Sequence, residues 1–347
     1  MTLDDLDTPA VIIDLDLMEK NIRDMADHCK KLGIPLRVHT KSHKIPEIAH
    51  RQVAAGAVGV ACQKLGDAEV MVAAGIKDVL IPYNIVGKKK TERLTRLAKR
   101  ARMTVAVDSK ATARGISEQA SADGCRVNVL IELDTGGRRC GAQSPEAALD
   151  LAKKIAALPG LSFEGVMTYP SRMEAKDFLA KTVGLIRGAG IPVNTVSGGG
   201  TGHERMAKEL GLTETRSGSY VWEGLSRIGN SDQLHENRCP LRVLVTVVSV
   251  PTPERAILDG GMKTFASYPP KPYGRIVERP DAKIYGMSVE HGHVDTSACK
   301  RPFSVGERLS VIPLHQEMCL NLHDECYGYR NGKIEVVWQV AGRGRVK

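Results

Sequence analysis

Lys41 closes the stretch Leu36-Arg37-Val38-His39-Thr40-Lys41, and Ser42-His43-Lys44 follow it. On a strand, alternate side chains share a face. Arg37, His39 and Lys41 are therefore expected to project one way, and Leu36, Val38 and Thr40 the other. Strands of a parallel α/β sheet are usually apolar on both faces, so three bases on one face need a reason. A lysine at the C-terminal end of such a strand, partly desolvated beside other cations, becomes an amine nucleophile and can hold an aldehyde cofactor as a Schiff base. A solvated basic strand end is the competing reading of the same residues. Lys44 lies past the strand and is the weaker candidate.

Other chemistry-bearing residues follow apolar runs. Ile131-Glu132-Leu133-Asp134 leads into Thr135-Gly136-Gly137-Arg138-Arg139-Cys140-Gly141, where glycines admit a ligand and arginines offer forked donors. Met167-Thr168-Tyr169-Pro170 ends another run. Ser197-Gly198-Gly199-Gly200-Thr201-Gly202 leads into an expected helix, and Arg216-Ser217-Gly218-Ser219-Tyr220 ends a further strand. The glycine run reads as an anion nest at a helix N-terminus. No Gly-Lys-Ser/Thr follows it, so it is not a Walker loop. Nor does it sit at the chain's first βα turn as a dinucleotide fingerprint does. Near the C-terminus, Glu290-His291-Gly292-His293 and Pro313-Leu314-His315-Gln316-Glu317 stand out. On an extended segment His315 and Glu317 share a face and could chelate a divalent metal. The set His315, Cys319, His323 and Cys326 offers zinc-like ligand types instead, and scattered surface histidines are the plain alternative.

These residues need a scaffold. Strands are expected at Leu36–Lys41, Val58–Gln63, Val79–Tyr83, Thr104–Asp108, Val127–Asp134, Gly165–Tyr169, Thr195–Ser197 and Glu214–Arg216. Helices are expected at Ile45–Ala55, Leu65–Ala74, Lys88–Ala101, Pro145–Ala157, Met173–Ala189 and His203–Leu210, with Gly33, Gly56, Gly75 and Gly211 where helices stop. Eight strands alternating with helices are the count of a (β/α)8 barrel, with an open doubly wound sheet as the alternative. In a barrel the strand ends named above fall at the C-terminal mouth, where chemistry sits, and the loops after the last two strands make the usual phosphate position. From Cys239 the pattern changes to short strands at Leu241–Val250, Arg255–Leu258, Lys283–Ser288, Arg308–Ile312 and Ile334–Gln339, separated by Pro and Gly. This predicts an α/β barrel over residues 17–238 and an all-β domain over 239–347. A first strand, Thr8–Asp16, precedes a helix from Leu17 to about Leu32, and residues 1–16 are assigned to the all-β domain.

The bulk properties fit. Of 347 residues, 42% are hydrophobic and 26% charged, the balance of a soluble globular protein. Aromatic residues are only 4%, which suits a barrel filled by small and branched side chains. The net charge of +9 comes without a basic tail or an aromatic-basic motif, so it suggests attraction of anionic small molecules rather than nucleic acid. Eight cysteines without a paired framework suit a reducing, cytoplasmic setting. The acidic first 20 residues lack the basic region of a signal peptide, and no apolar run approaches the roughly 20 residues of a membrane span.

With these residues in view, the chain resembles, nearly end to end, the fold-type III pyridoxal-phosphate enzymes acting on D-amino acids: D-threonine aldolase, D-serine dehydratase and the 3-hydroxyaspartate enzymes. Asp7-Thr8-Pro9-Ala10 is similar to the family's opening. Arg37 to Lys44 resembles its Arg-Pro-His-x-Lys-Thr-His-Lys motif, whose first lysine carries the cofactor. Ala55 to Lys64, which contains Gln63, is similar to the D-threonine aldolase branch. Arg138 to Gly141 resembles the Gly-Arg-Cys-Gly segment, which implies that Arg139 approaches the cofactor's phenolic oxygen. Ser197 to Gly202, with Gly199, Gly200 and Thr201, and Gly218-Ser219-Tyr220 resemble the phosphate loops. Ser288 to Gly292 resembles the Glu-His-Gly motif, and Pro313 to Glu317 the metal segment. Two positions depart from the pattern. Pro170 follows Tyr169 where relatives have a histidine that serves the chemistry, and Glu317 stands where relatives have Cys or Asp.

The resemblance implies a pyridoxal 5'-phosphate and divalent-metal (Mn, Mg or Zn) enzyme with Lys41, His39 and Tyr169 as catalytic residues. It implies retro-aldol cleavage of a β-hydroxy-D-amino acid to glycine and an aldehyde, in a homodimer. A D-serine or D-3-hydroxyaspartate dehydratase uses the same parts. A non-catalytic cofactor carrier and a racemase with Tyr273 as base are the remaining alternatives.

Overall fold

The computed structural model describes residues 1–225, 236–266 and 273–347. The chain forms two compact units. One comprises Met1–Arg23, Ser42–Ile45 and Ser219–Gly344, the other Asp24–Lys41, Pro46–Gly218 and Arg345–Lys347.

The second unit is a closed barrel of eight parallel strands: β2 (Leu36–His39), β3 (Gly59–Ala61), β4 (Asp78–Asn84), β5 (Arg102–Val107), β6 (Val127–Leu133), β7 (Leu161–Thr168), β8 (Thr195–Gly198) and β9 (Glu214–Ser217). Pairing of β2 with β9, Arg37 opposite Arg216, closes the ring, so the sheet is not the open alternative. The helices at Pro46–Ala54, Leu65–Ala73, Lys88–Ala98, Pro145–Ala156 and Lys176–Gly188 lie where periodicity placed them. A further helix, Lys110–Ala122, carries little hydrophobic signal. Its buried face is Thr112, Ala113, Ile116, Ser117 and Ala120, one large apolar residue among small ones. Its start is marked instead by Ser109, whose hydroxyl accepts the Thr112 amide at 3.2 Å. No helix among the described residues is long and apolar enough to cross a membrane.

In the first unit, β1 (Ala10–Asp14) joins a nine-stranded sheet. It runs antiparallel to β10 (Leu241–Thr252) and parallel to β16 (Glu325–Arg330), and is flanked by β17 (Lys333–Gln339) beyond β16 and β15 (Arg308–Pro313) beyond β10. Three strands lacked a clear alternating signal: β12 (Gly274–Ile276), β14 (Gly292–Asp295) and β16.

The barrel interior is divided by chemistry. Leu80, Ala106, Leu130 and Met167, one from each of β4 to β7, form an apolar cluster. Across β2, β8 and β9 the filling is ionic. Arg37 Nε donates to both oxygens of Glu214 at 3.0 and 2.9 Å, and its Nη1 donates to Asp78 at 2.7 Å. Ser197 Oγ donates to Glu214 at 2.7 Å and accepts from Arg216 Nη1 at 2.6 Å. Arg216 Nη2 donates to the Thr168 carbonyl at 2.8 Å. Gly59 makes room for this, because a Cβ there would lie 2.6 Å from Arg37 Nη1. Burial works against the Arg37 charge, yet Glu214 and Asp78 hold its guanidinium above its ordinary value. Arg216, bonded only to neutral groups, is pulled down by burial to about 10 despite Glu214 and Glu132 nearby; it remains a cation at neutral pH.

Arg37→Ala leaves Glu214 buried without its main partner and is expected to destabilise the fold by about 3–5 kcal/mol. Urea unfolding monitored by circular dichroism measures this, and a loss below about 1 kcal/mol, the range of an exposed pair, would contradict the role given to the network.

Candidate active site

Strand β2 stops at His39, and Lys41 lies in the 3-10 turn Thr40–Ser42 rather than on the strand. The expected basic face is thus corrected in two respects. Lys41 is presented by a turn, and Arg37 is neutralised by Glu214 and Asp78 rather than adding to a crowd of free cations. The turn is fixed by Thr40, which is fully buried and donates from Oγ1 to the Ala61 carbonyl on β3 at 3.1 Å. The Lys41 side chain is exposed. Beside it, His39 Nε2 and Gln63 Oε1 share a hydrogen bond of 3.2 Å, joining the ends of the first two barrel strands.

After β6, the Asp134 carboxylate accepts the amides of Gly136 and Arg138 at 3.1 and 3.0 Å and folds the loop back. Arg139 then reaches Glu132 through Nη2 at 3.1 Å, with its guanidinium 5.4 Å from the Tyr169 ring centre. Burial works against the Arg139 charge, and Glu132 holds it above its ordinary value all the same. Arg138 takes a positive φ of 49° in the turn, so Arg139 is the arginine that the loop brings to Tyr169. The loops after β6 and β7 are tied by Thr135 and Thr168, whose hydroxyls lie 2.6 Å apart.

The glycine-rich loop differs from expectation. Residues 203–210 form no α-helix, only a 3-10 turn at Glu204–Met206. The Glu204 side chain folds back to accept the Gly202 amide at 3.1 and 2.9 Å and the Ser217 hydroxyl at 2.5 Å. The loop therefore owes its shape to side chains and not to a helix dipole. Gly199 takes φ +88°, a Cβ there would fall 2.0 Å from Thr215 Oγ1, and its amide donates to Ser171 Oγ at 2.7 Å. Thr201 Oγ1 accepts the Gly218 amide at 3.3 Å. Ser197 is buried in the ionic network with its hydroxyl spent on Glu214 and Arg216, not on the open side of the loop. Ser219 and Tyr220 lie in the 3-10 turn Ser219–Val221 of the other unit, with Tyr220 buried.

Sequence reading gives no role to Glu132, Glu204, Glu214 and Arg216. For Glu132, Glu214 and Arg216 the signal is a charged residue inside a barrel strand; Glu204, beyond the glycine run, carries none.

His315 and Glu317 do not share the face of an extended segment. His315 caps the short helix Gln316–Leu320, its Nδ1 accepting the Met318 amide at 3.3 Å, and Glu317 sits in the first helical turn. The zinc-like set does not assemble either. Cys319 Sγ and His323 Nε2 both turn to the Thr264 carbonyl, at 3.2 and 3.0 Å, and burial raises the thiol and lowers the imidazole. Among the described residues no three His, Cys, Asp or Glu side chains gather as a metal site.

Comparison with known proteins agrees with this architecture. Residues 13–224 match the alanine racemase N-terminal domain, and residues 240–329 a putative serine dehydratase domain. A D-threonine aldolase from Arthrobacter sp. is 34% identical over 98% of this chain and 93% of its own length. A D-threo-3-hydroxyaspartate dehydratase from Delftia sp. is 31% identical over 90% of this chain and 92% of its own. The crystal structure of a D-threonine aldolase from Filomicrobium marinum superposes with a TM-score of 0.93 at 35% identity, covering 100% of this chain and 98% of that one. The fold is alanine racemase-like, and the chain belongs to the fold-type III pyridoxal-phosphate enzymes that act on D-amino acids.

Gly199→Ala is expected to cost about 1–3 kcal/mol from the forced positive φ, with more from the clash at Thr215. Thermal melting reads the loss, and an unchanged melting point would show that the loop does not need glycine there.

Proposed function

We propose that this protein cleaves the Cα–Cβ bond of a β-hydroxy-D-amino acid of the D-threonine type, giving glycine and an aldehyde, with pyridoxal phosphate and a divalent metal. The observation that carries this reading is the exposed amine of Lys41 on the turn after the first barrel strand, in a chain that matches aldolases over almost its whole length.

The residues fit the cofactor. Lys41 would hold its aldehyde and release it to the amine of an arriving substrate. The open side of Gly200, where an added Cβ would meet nothing nearer than Tyr169 Cε2 at 3.6 Å, is a place for the phosphate, with Thr201 beside it and Gly218, Ser219 and Tyr220 on the second phosphate loop. When bound, the cofactor supplies an electron sink for charge developing at the substrate's Cα. Around it, Arg139, held by Glu132, would donate to the phenolic oxygen. Gln63 sets the orientation of His39, so that this imidazole can hold or pass a proton at the mouth. Tyr169 would wall the site on the opposite side.

His315 and Glu317 offer an imidazole nitrogen and a carboxylate, a donor set suited to Mn²⁺, Mg²⁺ or Zn²⁺ with other positions left to water or substrate. When bound, such an ion supplies Lewis-acid chemistry that acidifies a hydroxyl it holds. Pro170 supplies no side chain for that task. The resemblance supports a homodimer, and eight free cysteines support a cytoplasmic setting.

Three outcomes test this reading. Lys41→Ala should abolish the visible absorbance of the holoenzyme while Lys44→Ala keeps it; an unchanged spectrum in Lys41→Ala would remove the cofactor assignment. With D-threonine, D-serine and D-3-hydroxyaspartate as substrates, glycine should form, whereas oxo acids with ammonia would make the protein a dehydratase. Chelation should abolish turnover but not the spectrum, Mn²⁺ should restore activity, and Glu317→Ala should not be rescued. Full turnover in excess chelator would leave the metal out of the reaction.

A further inference from the structure

The glycine-rich loop has fewer free donors than its run of glycines suggests. The Gly199 amide is held by Ser171 Oγ, the Gly202 amide by Glu204, and the Gly218 amide by Thr201 Oγ1. Glu204 is only 4% exposed. Of the loop's own donors a phosphate is therefore left mainly the amides of Gly200 and Thr201, with a carboxylate at the loop's far end. A side-chain donor on this loop would add to what the second loop supplies.

One is carried on the same turn. The His203 amide donates to the Gly200 carbonyl at 2.9 Å, which sets the imidazole against the loop. Its Nδ1 is out of reach of water and has no hydrogen-bond partner among the described residues. A Cβ built at Gly200 would lie 3.9 Å from this nitrogen, and only Tyr169 Cε2 would be closer. The nitrogen is thus the one polar atom within 4 Å of that point outside the adjoining residues, and a turn of the half-buried imidazole would present it to an anion there. A buried polar atom without a partner is costly to keep, and a ligand that satisfies it recovers that cost.

We propose that His203 is a ligand of the cofactor's phosphate, donating from Nδ1 to a phosphate oxygen beside the Gly200 and Thr201 amides. The proposal rests on the reading of this chain as a pyridoxal-phosphate enzyme. It assigns His203 to binding, and the bond-breaking chemistry does not pass through it.

The test compares two cofactor forms that differ only in the phosphate. Holoenzyme is stripped and re-titrated with pyridoxal phosphate or pyridoxal for wild type, His203→Ala and His203→Asn, and the ³¹P resonance of bound cofactor is recorded. In His203→Ala the dissociation constant of pyridoxal phosphate should rise about tenfold, the loss of one hydrogen bond to a charged group, while that of pyridoxal stays unchanged and the ³¹P resonance moves. His203→Asn, which returns an amide nitrogen near the same point, should recover most of the affinity. Unchanged phosphate-form affinity and resonance in His203→Ala overturn the proposal, and so does an equal loss for both forms. A wild type that binds neither form overturns the cofactor reading itself, which separates the two failures.

Discussion

The barrel depends on one buried exchange of charge. Arg37 on β2 faces Glu214 on β9 across the seam where the ring closes, and both oxygens of the carboxylate are committed to one guanidinium. Two such groups leave water only if each satisfies the other. Misalignment of β2 and β9 by one residue would turn one of the charges out of the barrel and strand its partner inside, because strand side chains alternate with a period of two. The pair thus favours a single register at the closure, something apolar side chains enforce less strictly. Gly59 and Ser197 are consequences: one yields space to the guanidinium, the other bridges Glu214 to Arg216.

The same arrangement divides the interior between stability and chemistry. The quartet on β4 to β7 excludes water in the usual way of a barrel core. The ionic half lies under the strand ends that carry Lys41 and the glycine-rich loop. Arg216 is the under-compensated member, a buried cation bonded to a hydroxyl and a carbonyl. Glu214 and Glu132 lie near enough to offset part of what burial does to its charge.

Much of this was legible. The alternation of strands and helices is strong because β3 to β7 are largely apolar runs bounded by glycine or a polar cluster, and the candidate site residues fall just past strand ends. What could not be read has physical causes. The helix at Lys110–Ala122 buries small residues, so hydrophobic periodicity barely registers it. The segment after His203 has helix-forming residues yet makes only a 3-10 turn, with the Glu204 side chain committed to the Gly202 amide and the Ser217 hydroxyl. Lys41 was placed on a strand because alternation continues through Thr40, and only the Thr40 bond to β3 shows that the chain has already turned. His315 and Glu317 were assigned to an extended run, yet the histidine caps a helical turn. The partners of Arg37 and Arg216 lie far away in sequence, so no spacing rule reaches them.

Glu204 has a wider consequence. A glycine-rich turn that carries its own carboxylate acceptor is held by that side chain. The ordering entropy of the Gly202 turn is spent when the barrel forms, and a ligand arriving later has less of it to supply. That part of the loop is thus ordered by folding alone.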